Sequence, residues 1–389
     1  MIKMKRPLKV LHVVIGLNMG GIQEFVLNLF TYIDKKKYTP IACVIEKTGV
    51  IGKEIEVAGY EVIVLHLKRQ PIKTIISLFR LIKSKQIDII HAASYHPSLY
   101  ARIAGFFAGV KVIVSHEHGL YMKKRIQRVF LNKILSLITD KFIAVSETMA
   151  AQIENWYRYP KYKIDVIYNG VDTNRFKPSK SKTLSKKQLG LNPNKLIIGM
   201  ICRLDPDKGH QFFLEAIKML YKKYDIQWVI VGDGPEVYKQ QIKEMAQKLG
   251  IKDYVEFLGM RRDVPDILRA FDCYILPTLR EGFPISVLEA MSSGCAVIVS
   301  DFPSNLELVV NEKTGLIFPM KNSEELKNKI ETLINNEKFR LELGNRARSI
   351  ALKKFNLKLN VNKIESLYEE TWKNKNSKST FWRNNFFKL

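Results

Sequence analysis

The chain has 389 residues, 46% of them hydrophobic and 26% charged, with four cysteines and a formal net charge of +25. That length suits two domains of ordinary size, and the composition is that of a soluble protein. No run of eighteen apolar residues occurs, which excludes a membrane-spanning helix, and Cys43, Cys202, Cys273 and Cys295 form no CxxC pair, which fits a reduced, cytoplasmic protein without a metal site.

The charge is uneven. Residues 1–180 hold 29 Lys+Arg against 13 Asp+Glu, a balance of +16, and the remainder hold 34 against 25, a balance of +9. A basic first half points to an anionic partner, whether membrane surface, lipid-linked diphosphate or nucleic acid, or else to a lysine coat on a soluble surface.

The opening MIKMKRPLKVLHVVIG is basic and then apolar, but short and without a small-residue cleavage site, so Leu8 to Ile15 reads as a first strand and not as a signal peptide. GLNMGG (Gly16 to Gly21) and a helix over Ile22 to Tyr32 follow. Strand, glycine loop and helix in that order suit a phosphate, although the pattern is not G-x-G-x-x-G and no acidic residue with a clear ribose role follows at dinucleotide spacing. Strand-like runs at Thr39 to Ile45, Glu61 to His66, Asp88 to Ala92, Val112 to Ser115 and Lys141 to Val145 then alternate with helical patterns, which predicts a parallel, doubly wound sheet.

Two of those helices are basic and amphipathic. Ile72 to Lys83 carries Ile75, Ile76, Leu78, Phe79 and Ile82 with Lys73, Arg80 and Lys83. Tyr121 to Ile138 carries Ile126, Val129, Phe130 and Ile134 with Lys123, Lys124, Arg125, Arg128 and Lys133. Each reads either as a helix covering the sheet or as one lying on an anionic leaflet. Between them SHEHG (Ser115 to Gly119) sets two histidines around a glutamate at the end of a strand, beside the crevice where a sugar would bind. AVSETM supplies Ser146 as an N-cap, and DVIYNGVDTN (Asp165 to Asn174) is a strand and an Asn-Gly turn. Residues 176–194 are polar, basic and Pro-containing, as a connection between domains would be.

A second strand, loop and helix starts at Leu196, LIIGMICRLDPDKGHQFFLEAI, with Arg203 and Lys208 in the loop. Two cations at a strand end suit a diphosphate leaving group. WVIVGDGP (Trp228 to Pro235) and YVEFLG (Tyr254 to Gly259) are further strands with loops, and Arg262 follows as a candidate neighbour of the base or a phosphate. The most informative stretch is Asp272 to Asp301, DCYILPTLREGFPISVLEAMSSGCAVIVSD: strand Cys273 to Leu276, a loop ending in Glu281, Gly282, Phe283 and Pro284, helix Ile285 to Ser293, and strand Ala296 to Val299. A helix N-terminus at the carboxyl end of a parallel strand offers N–H groups to a diphosphate, and Glu281 and Glu289 on either side of it offer acceptors to hydroxyls. A nucleotide sugar needs both. A helix starting at Asn305, a strand Thr314 to Pro319, helices 322–335, 337–353 and 356–373, and a basic, aromatic tail STFWRNNFFKL complete the chain; the tail reads as either a disordered end or a membrane-touching segment.

The stretch EGFPISVLEAMSSGCAVIVSD resembles the donor-site signature of the retaining glycosyltransferases of family 4 (glycosyl transferases group 1), which have the GT-B fold, and further motifs of that family follow in order along nearly the whole chain. The resemblance implies an α/β protein of two Rossmann-like, doubly wound parallel-sheet domains facing a central cleft: 1–178 for the acceptor, a linker 179–194, 195–355 for the nucleotide sugar, and 356–389 as a crossover helix and tail. It implies that Arg203, Lys208 and the Gly20–Gly21 loop bind the diphosphate, Glu289 the ribose, and Glu281, Gly282, Phe283 and Pro284 the donor sugar. It places His118, with Glu281, at the reacting sugar. His116 stands where the family often has Thr and Cys202 where it has Gly. Glu307 matches a glutamate that supports a loop.

The activity implied is metal-independent transfer with retention from a nucleotide sugar, with UDP as the expected nucleotide, to a lipid-linked saccharide acceptor in surface polysaccharide assembly. No cofactor is expected beyond the donor itself. The expected location is cytoplasmic, peripheral on the membrane's anionic inner face. A nucleotide-sugar epimerase or soluble glycan synthase on the same fold is the alternative. A nucleic-acid binder is a more distant one, for which no zinc finger, RNA-binding signature or aromatic-basic ladder speaks.

Overall fold

Short runs of Val, Ile and Ala bounded by glycine and proline loops cannot bury both faces alone. They become strands of parallel sheets covered on each face by amphipathic helices. The computed structural model describes residues 6–18, 20–121 and 125–386, with side chains through residue 376. Its described residues form two compact units, Met1–Asn169 with Leu357–Leu389, and Gly170–Asn356.

The first unit contains β1 (Leu8–Leu17), α1 (Gly21–Tyr32), β2 (Tyr38–Thr48), α2 (Val50–Val57), β3 (Glu61–Val64), α3 (Pro71–Lys85), β4 (Ile89–Ala93), α4 (Tyr95–Ala108), β5 (Val112–Glu117), α5 (Ile126–Leu135), β6 (Lys141–Ala144), α6 (Glu147–Tyr157) and β7 (Ile164–Val166). Its strands are all parallel, in the order β3-β2-β1-β4-β5-β6-β7. One core lies between the sheet and α1, around Val10, Phe25, Leu29, Phe30 and Val114. The last helix, α15 (Leu357–Phe386), joins that core through Leu357, Val361, Ile364 and Tyr368. The opposite face packs Leu11, Val13 and Ile90 against Leu78, Ile82, Ala101 and Ala104 of α3 and α4.

The second unit contains α7 (Lys182–Gln188), β8 (Leu196–Ile201), α8 (His210–Leu220), β9 (Ile226–Val231), α9 (Glu236–Lys248), β10 (Val255–Gly259), α10 (Val264–Ala270), β11 (Cys273–Leu276), α11 (Ile285–Ser292), β12 (Ala296–Ser300), α12 (Pro303–Leu306), β13 (Leu316–Phe318), α13 (Ser323–Asn335) and α14 (Glu337–Lys354). Its parallel order is β10-β9-β8-β11-β12-β13. Trp228, Phe213, Ile275 and Leu343 centre the core. Both domains are therefore parallel α/β sheets, as the alternation of runs predicts. Among the described residues no helix is long and apolar enough to cross a membrane.

Several boundaries differ from the sequence reading. The unit boundary falls at Asn169 and Gly170, ahead of residue 178. The reason is that the Phe176 carbonyl accepts hydrogen bonds from Ser292 Oγ at 2.6 Å and Arg348 at 3.1 Å. The expected linker, 179–194, lies inside the second unit and carries α7, whose Lys182 and Lys186 reach the buried carboxylate of Asp272 at 3.1 and 2.8 Å. The helix expected from Tyr121 begins at Ile126, because the Tyr121 N–H donates to Gln152 and its hydroxyl to Glu117, which hold that residue outside the helix. Lys123 and Lys124 lie outside the described residues. The helix expected from Asn305 is the short α12, ending at Leu306. The tail's backbone continues α15 to Phe386, and its side chains lie outside the described residues.

Candidate active site

In an open parallel sheet, strand order reverses at one point, and the loops leaving the two strands there splay apart into a crevice. In the second unit that point lies between β8 and β11, which pair at Ile198–Cys273 and Gly199–Tyr274. The loop after β8 carries Arg203 and Lys208, and the loop after β11 carries Glu281 to Pro284. The two motifs singled out by sequence thus sit on the two loops that flank the switch point.

The loops are laced together. Asp207 accepts from Leu279 N at 2.7 Å and Thr278 Oγ1 at 2.9 Å through its carbonyl, and its carboxylate pairs with Arg280. Lys208 Nζ donates to the Glu281 carboxylate. Burial pulls the Lys208 pKa down, but the Glu281 charge and hydrogen bond outweigh it and the net shift is upward, so the ammonium is kept charged. Between Lys208 and α8 stands Gly209, at φ 70°, where a Cβ would lie 1.9 Å from the Pro277 carbonyl oxygen. No other residue allows the two loops to approach so closely.

Behind the Glu281 loop, Ser304 Oγ donates to the Glu281 carbonyl at 2.9 Å and Ser300 Oγ to the Thr278 carbonyl at 2.6 Å. Pro284 is the N-cap of α11, and Gly282, Phe283 and Pro284 are buried. Tyr274, fully buried in β11, donates to the Ile201 carbonyl at 2.8 Å and meets Ser286 Oγ at 2.7 Å, fixing α11 to the sheet. Glu289 lies a turn further along α11, half-buried, and its charge is felt at the Tyr274 hydroxyl.

Arg203 is exposed and bonds Asp205 at 2.6 Å. Cys202, in place of the expected glycine, tucks its thiol against His210 at 3.4 Å, and burial pushes that thiol up to about 12. The Gly-Asp-Gly loop closes over the same segment: Leu204 N donates to the Asp233 carbonyl at 2.9 Å, and a Cβ on Gly232 (φ 146°) would fall 1.8 Å from the Cys202 carbonyl. Arg262 is exposed in the loop between β10 and α10, beside the Arg261–Asp263 pair. Glu307 caps the carboxyl end of α12. A surface cavity of about 480 Å³ lies at the opposite, amino edge of this sheet, around Lys195, Tyr221, Asp225 and Tyr254, and contains none of these residues.

In the first unit, Gly20 and Gly21 open α1, with the Gly20 carbonyl accepting from Glu24 at 3.0 Å and Gln23 tying back to the Gly16 carbonyl at 3.1 Å. SHEHG does not follow the strand as expected. β5 runs through Glu117, and His116 is fully buried on that strand. His118 sits just past the strand, its ring 4.0 Å from that of His116 and 5.0 Å from that of Phe25. Burial lowers its pKa to about 3, so the imidazole is neutral. Glu117 points to the other face, bonded by the Tyr121 hydroxyl at 2.6 Å, and burial raises its pKa.

Sequence reasoning missed Asp207, Arg280, Ser304 and Tyr274. Asp207 and Arg280 stand next to Lys208 and Glu281, so the pair of adjacent opposite charges in each loop was a readable signal of two loops zipped by two ion pairs.

Known proteins extend these observations. The family described as Glycosyl transferases group 1 matches residues 181–350, and Glycosyltransferase Family 4 matches residues 19–175. The chain is 30% identical over 384 residues, 95% of its own length and 98% of the relative's, to the UDP-Gal:alpha-D-GlcNAc-diphosphoundecaprenol alpha-1,3-galactosyltransferase of Escherichia coli. It is 29% identical, over 81% of its length and 87% of the relative's, to the N,N'-diacetylbacillosaminyl-diphospho-undecaprenol alpha-1,3-N-acetylgalactosaminyltransferase of Campylobacter jejuni. Its fold is shared with Anabaena HepE, solved with UDP, at a TM-score of 0.81 and 23% identity over 93% of this chain and 100% of that one.

Proposed function

We propose that this chain, which belongs to glycosyltransferase family 4 (glycosyl transferases group 1) and has the GT-B fold, moves a sugar from a UDP-sugar to a saccharide carried on a polyprenyl diphosphate. The observation that carries the reading is the meeting of Lys208 and Glu281 at the β8/β11 switch point, with the N-terminus of α11 beside them. The donor and acceptor classes are supported by the names of the Escherichia coli and Campylobacter jejuni relatives.

In this reading Lys208 and Arg203 meet the diphosphate, where negative charge grows as the glycosidic bond breaks. Donors aimed at developing charge in a partly dry site are worth far more than in water. Glu289 accepts from the ribose hydroxyls. Glu281, with the backbone of Gly282 to Pro284, holds the donor sugar; in the first unit His118 is assigned to the donor sugar and the Gly20–Gly21 loop to the diphosphate, as the family resemblance implies. Arg262 serves the base side. Glu281 is already committed to Lys208, so it is cast as a positioning acceptor and not as a nucleophile. A diphosphate oxygen takes the proton of the incoming hydroxyl on the face the leaving group vacates, which retains configuration and needs no flanking carboxylate pair. The two cations supply the charge that a divalent ion would otherwise supply.

The membrane side of the reading rests on α5. Ile126, Phe130 and Ile134, with Leu137 just beyond, are 84, 68, 48 and 80% exposed and form one stripe at helical spacing. From His118 to Thr139 the sequence contains no acidic residue and five Lys or Arg. An apolar stripe among cations suits an anionic leaflet and not nucleic acid. The stripe on α3 is shorter, Ile72 and Ile76.

The test is transfer of labelled sugar from a UDP-sugar to polyprenyl-diphosphate saccharides, with the anomeric configuration of the product read by NMR and a parallel reaction in EDTA. An α-linked product from an α-linked donor, at an unchanged rate in EDTA, supports the reading. Inversion, a covalent glycosyl adduct on Glu281 or loss of activity in EDTA contradicts it.

A further inference from the structure

Four of the seven histidines gather in one place in the first unit. His12 on β1 pairs in register with His91 on β4, and their rings lie 4.9 Å apart. His116 on β5 and His118 beyond it share the same face, the one covered by α1 and α15. Burial lowers the pKa of all four, so all four rings are neutral at pH 7.

A neutral imidazole has one N–H and one lone pair, so the partner of one nitrogen dictates what the other offers. The Tyr368 hydroxyl of α15 meets His91 Nδ1, and His91 Nε2 meets His116 Nδ1 at 3.0 Å. His116 Nε2 is buried and has no partner among the described residues. Two proton arrangements are possible along this chain. In one, Tyr368 donates to His91 Nδ1, His91 Nε2–H donates to His116 Nδ1, and His116 carries its proton on Nε2. In the reverse, His116 Nδ1–H donates to His91, His91 Nδ1–H donates to the tyrosine oxygen, and the hydroxyl hydrogen then needs an acceptor that the described residues do not supply. The first arrangement leaves one buried group unmet and the reverse leaves two, and buried unmet groups are what polar cores avoid.

We propose that Tyr368 of the last helix sets the direction of this chain and makes His116 an Nε2–H donor held against His118. His116 and Tyr368 are then positioning residues: they touch no substrate and act through the His118 ring, which rests on the assignment of His118 to the donor sugar made above. His118 Nε2, also buried without a partner among the described residues, lies on the ring packed against His116, and the Phe25 ring flanks both, 5.0 Å from His118 and 4.8 Å from His116. A His116 tautomer fixed from α15 presents one unchanging ring dipole to His118, and a tautomer that flips does not.

The test begins with the ligand-free full chain, so that its result is independent of the sugar assignment. Proton-correlated ¹⁵N spectra of histidine-labelled protein, assigned with His116→Gln, read each tautomer directly. We expect His116 as Nε2–H in the wild type and a mixture in Tyr368→Phe. An Nδ1–H form in the wild type overturns the proposal. In transfer assays, Tyr368→Phe should lower kcat about tenfold with KM for the nucleotide sugar within twofold, since Arg203, Lys208 and Glu289, assigned to the diphosphate and ribose, lie in the other unit. His116→Gln should restore kcat in the Tyr368→Phe background, because its amide oxygen accepts from His91 and its NH2 donates beyond, with no tautomer to lose. His116→Leu should not. Wild-type kcat in a folded Tyr368→Phe, or equal loss in both double variants, overturns the coupling. Failure of the wild type to transfer any sugar would instead sink the functional reading and leave the tautomer result standing.

Discussion

Lys208 and Glu281 stand 73 positions apart in sequence, yet the ammonium and the carboxylate are hydrogen-bonded across two neighbouring strand-end loops, both side chains largely buried. A cation held charged and ready beside a helix N-terminus is what a leaving diphosphate requires, and the carboxylate keeps it charged. Lys208→Ala should therefore lower kcat/KM for transfer by about 10²–10³-fold, the range for losing one donor to transition-state charge. The chain should still fold cooperatively, with a melting temperature lowered by the Glu281 carboxylate left without its partner. The check is steady-state kinetics beside a thermal melt, and a near wild-type rate would remove Lys208 from the site.

A second expectation concerns Asp272 at the foot of β11. Its buried carboxylate accepts from Lys182, Lys186 and the Ile197 N–H at 2.9 Å, and Lys186 is itself buried. Burial alone would raise the Asp272 pKa, but the two lysines and the N–H bond reverse this and lower it. Asp272→Ala strands a buried ammonium and should cost about 3 kcal/mol, typical of breaking a buried pair from one side. Urea unfolding measures it, and a loss below about 1 kcal/mol would show that Lys186 finds solvent.

Acid should loosen the first unit through its histidines. His12 and His118 are lowered from 6.5 to about 3 by burial. Below pH 6.5 the unfolded chain binds protons that the folded one refuses, so stability is flat above about 6.5 and falls as the pH drops toward 3, by up to about 1.4 kcal/mol per pH unit for each such histidine. His12→Leu, which removes a ring with no partner for its Nε2 among the described residues, should flatten that slope. Urea midpoints at pH 7 and pH 5 decide it. An equal drop in both proteins would assign the acid lability to other groups.

Vesicle flotation tests the α5 surface. The wild type should float with vesicles rich in anionic lipid and stay behind with neutral ones, and Phe130→Ser with Ile134→Ser should lose most of that binding while melting normally. Indifference to lipid charge, or flotation unaffected by the two serines, would contradict the assignment.

The sequence carried the parts of the fold that depend on local pattern. Cys273 to Leu276 is a strand as predicted, and the helix after Pro284 starts at Ile285, because an apolar run, a proline and a glycine stop are all local signals. It carried less where distant residues decide. Phe176 joins the second unit because Ser292 and Arg348 bond its carbonyl, which no composition shift at 176–194 reveals. His116 reads as a loop histidine beside a crevice until β4 and α15 supply His91 and Tyr368 and turn it into a core group. The Asp207–Arg280 pair was only half legible: adjacent opposite charges mark each loop, but their partners are fixed only when β8 and β11 lie side by side.

The central claim is transfer from a nucleotide sugar to a lipid-linked acceptor, and release of the nucleoside diphosphate tests it most directly. UDP-, GDP- and ADP-sugars would each be offered with and without a polyprenyl-diphosphate saccharide extract, with Glu289→Ala as control. The account predicts UDP release by the wild type only, from one donor, and only when the lipid is present. Release without lipid, or none from any donor together with no donor binding, would contradict it.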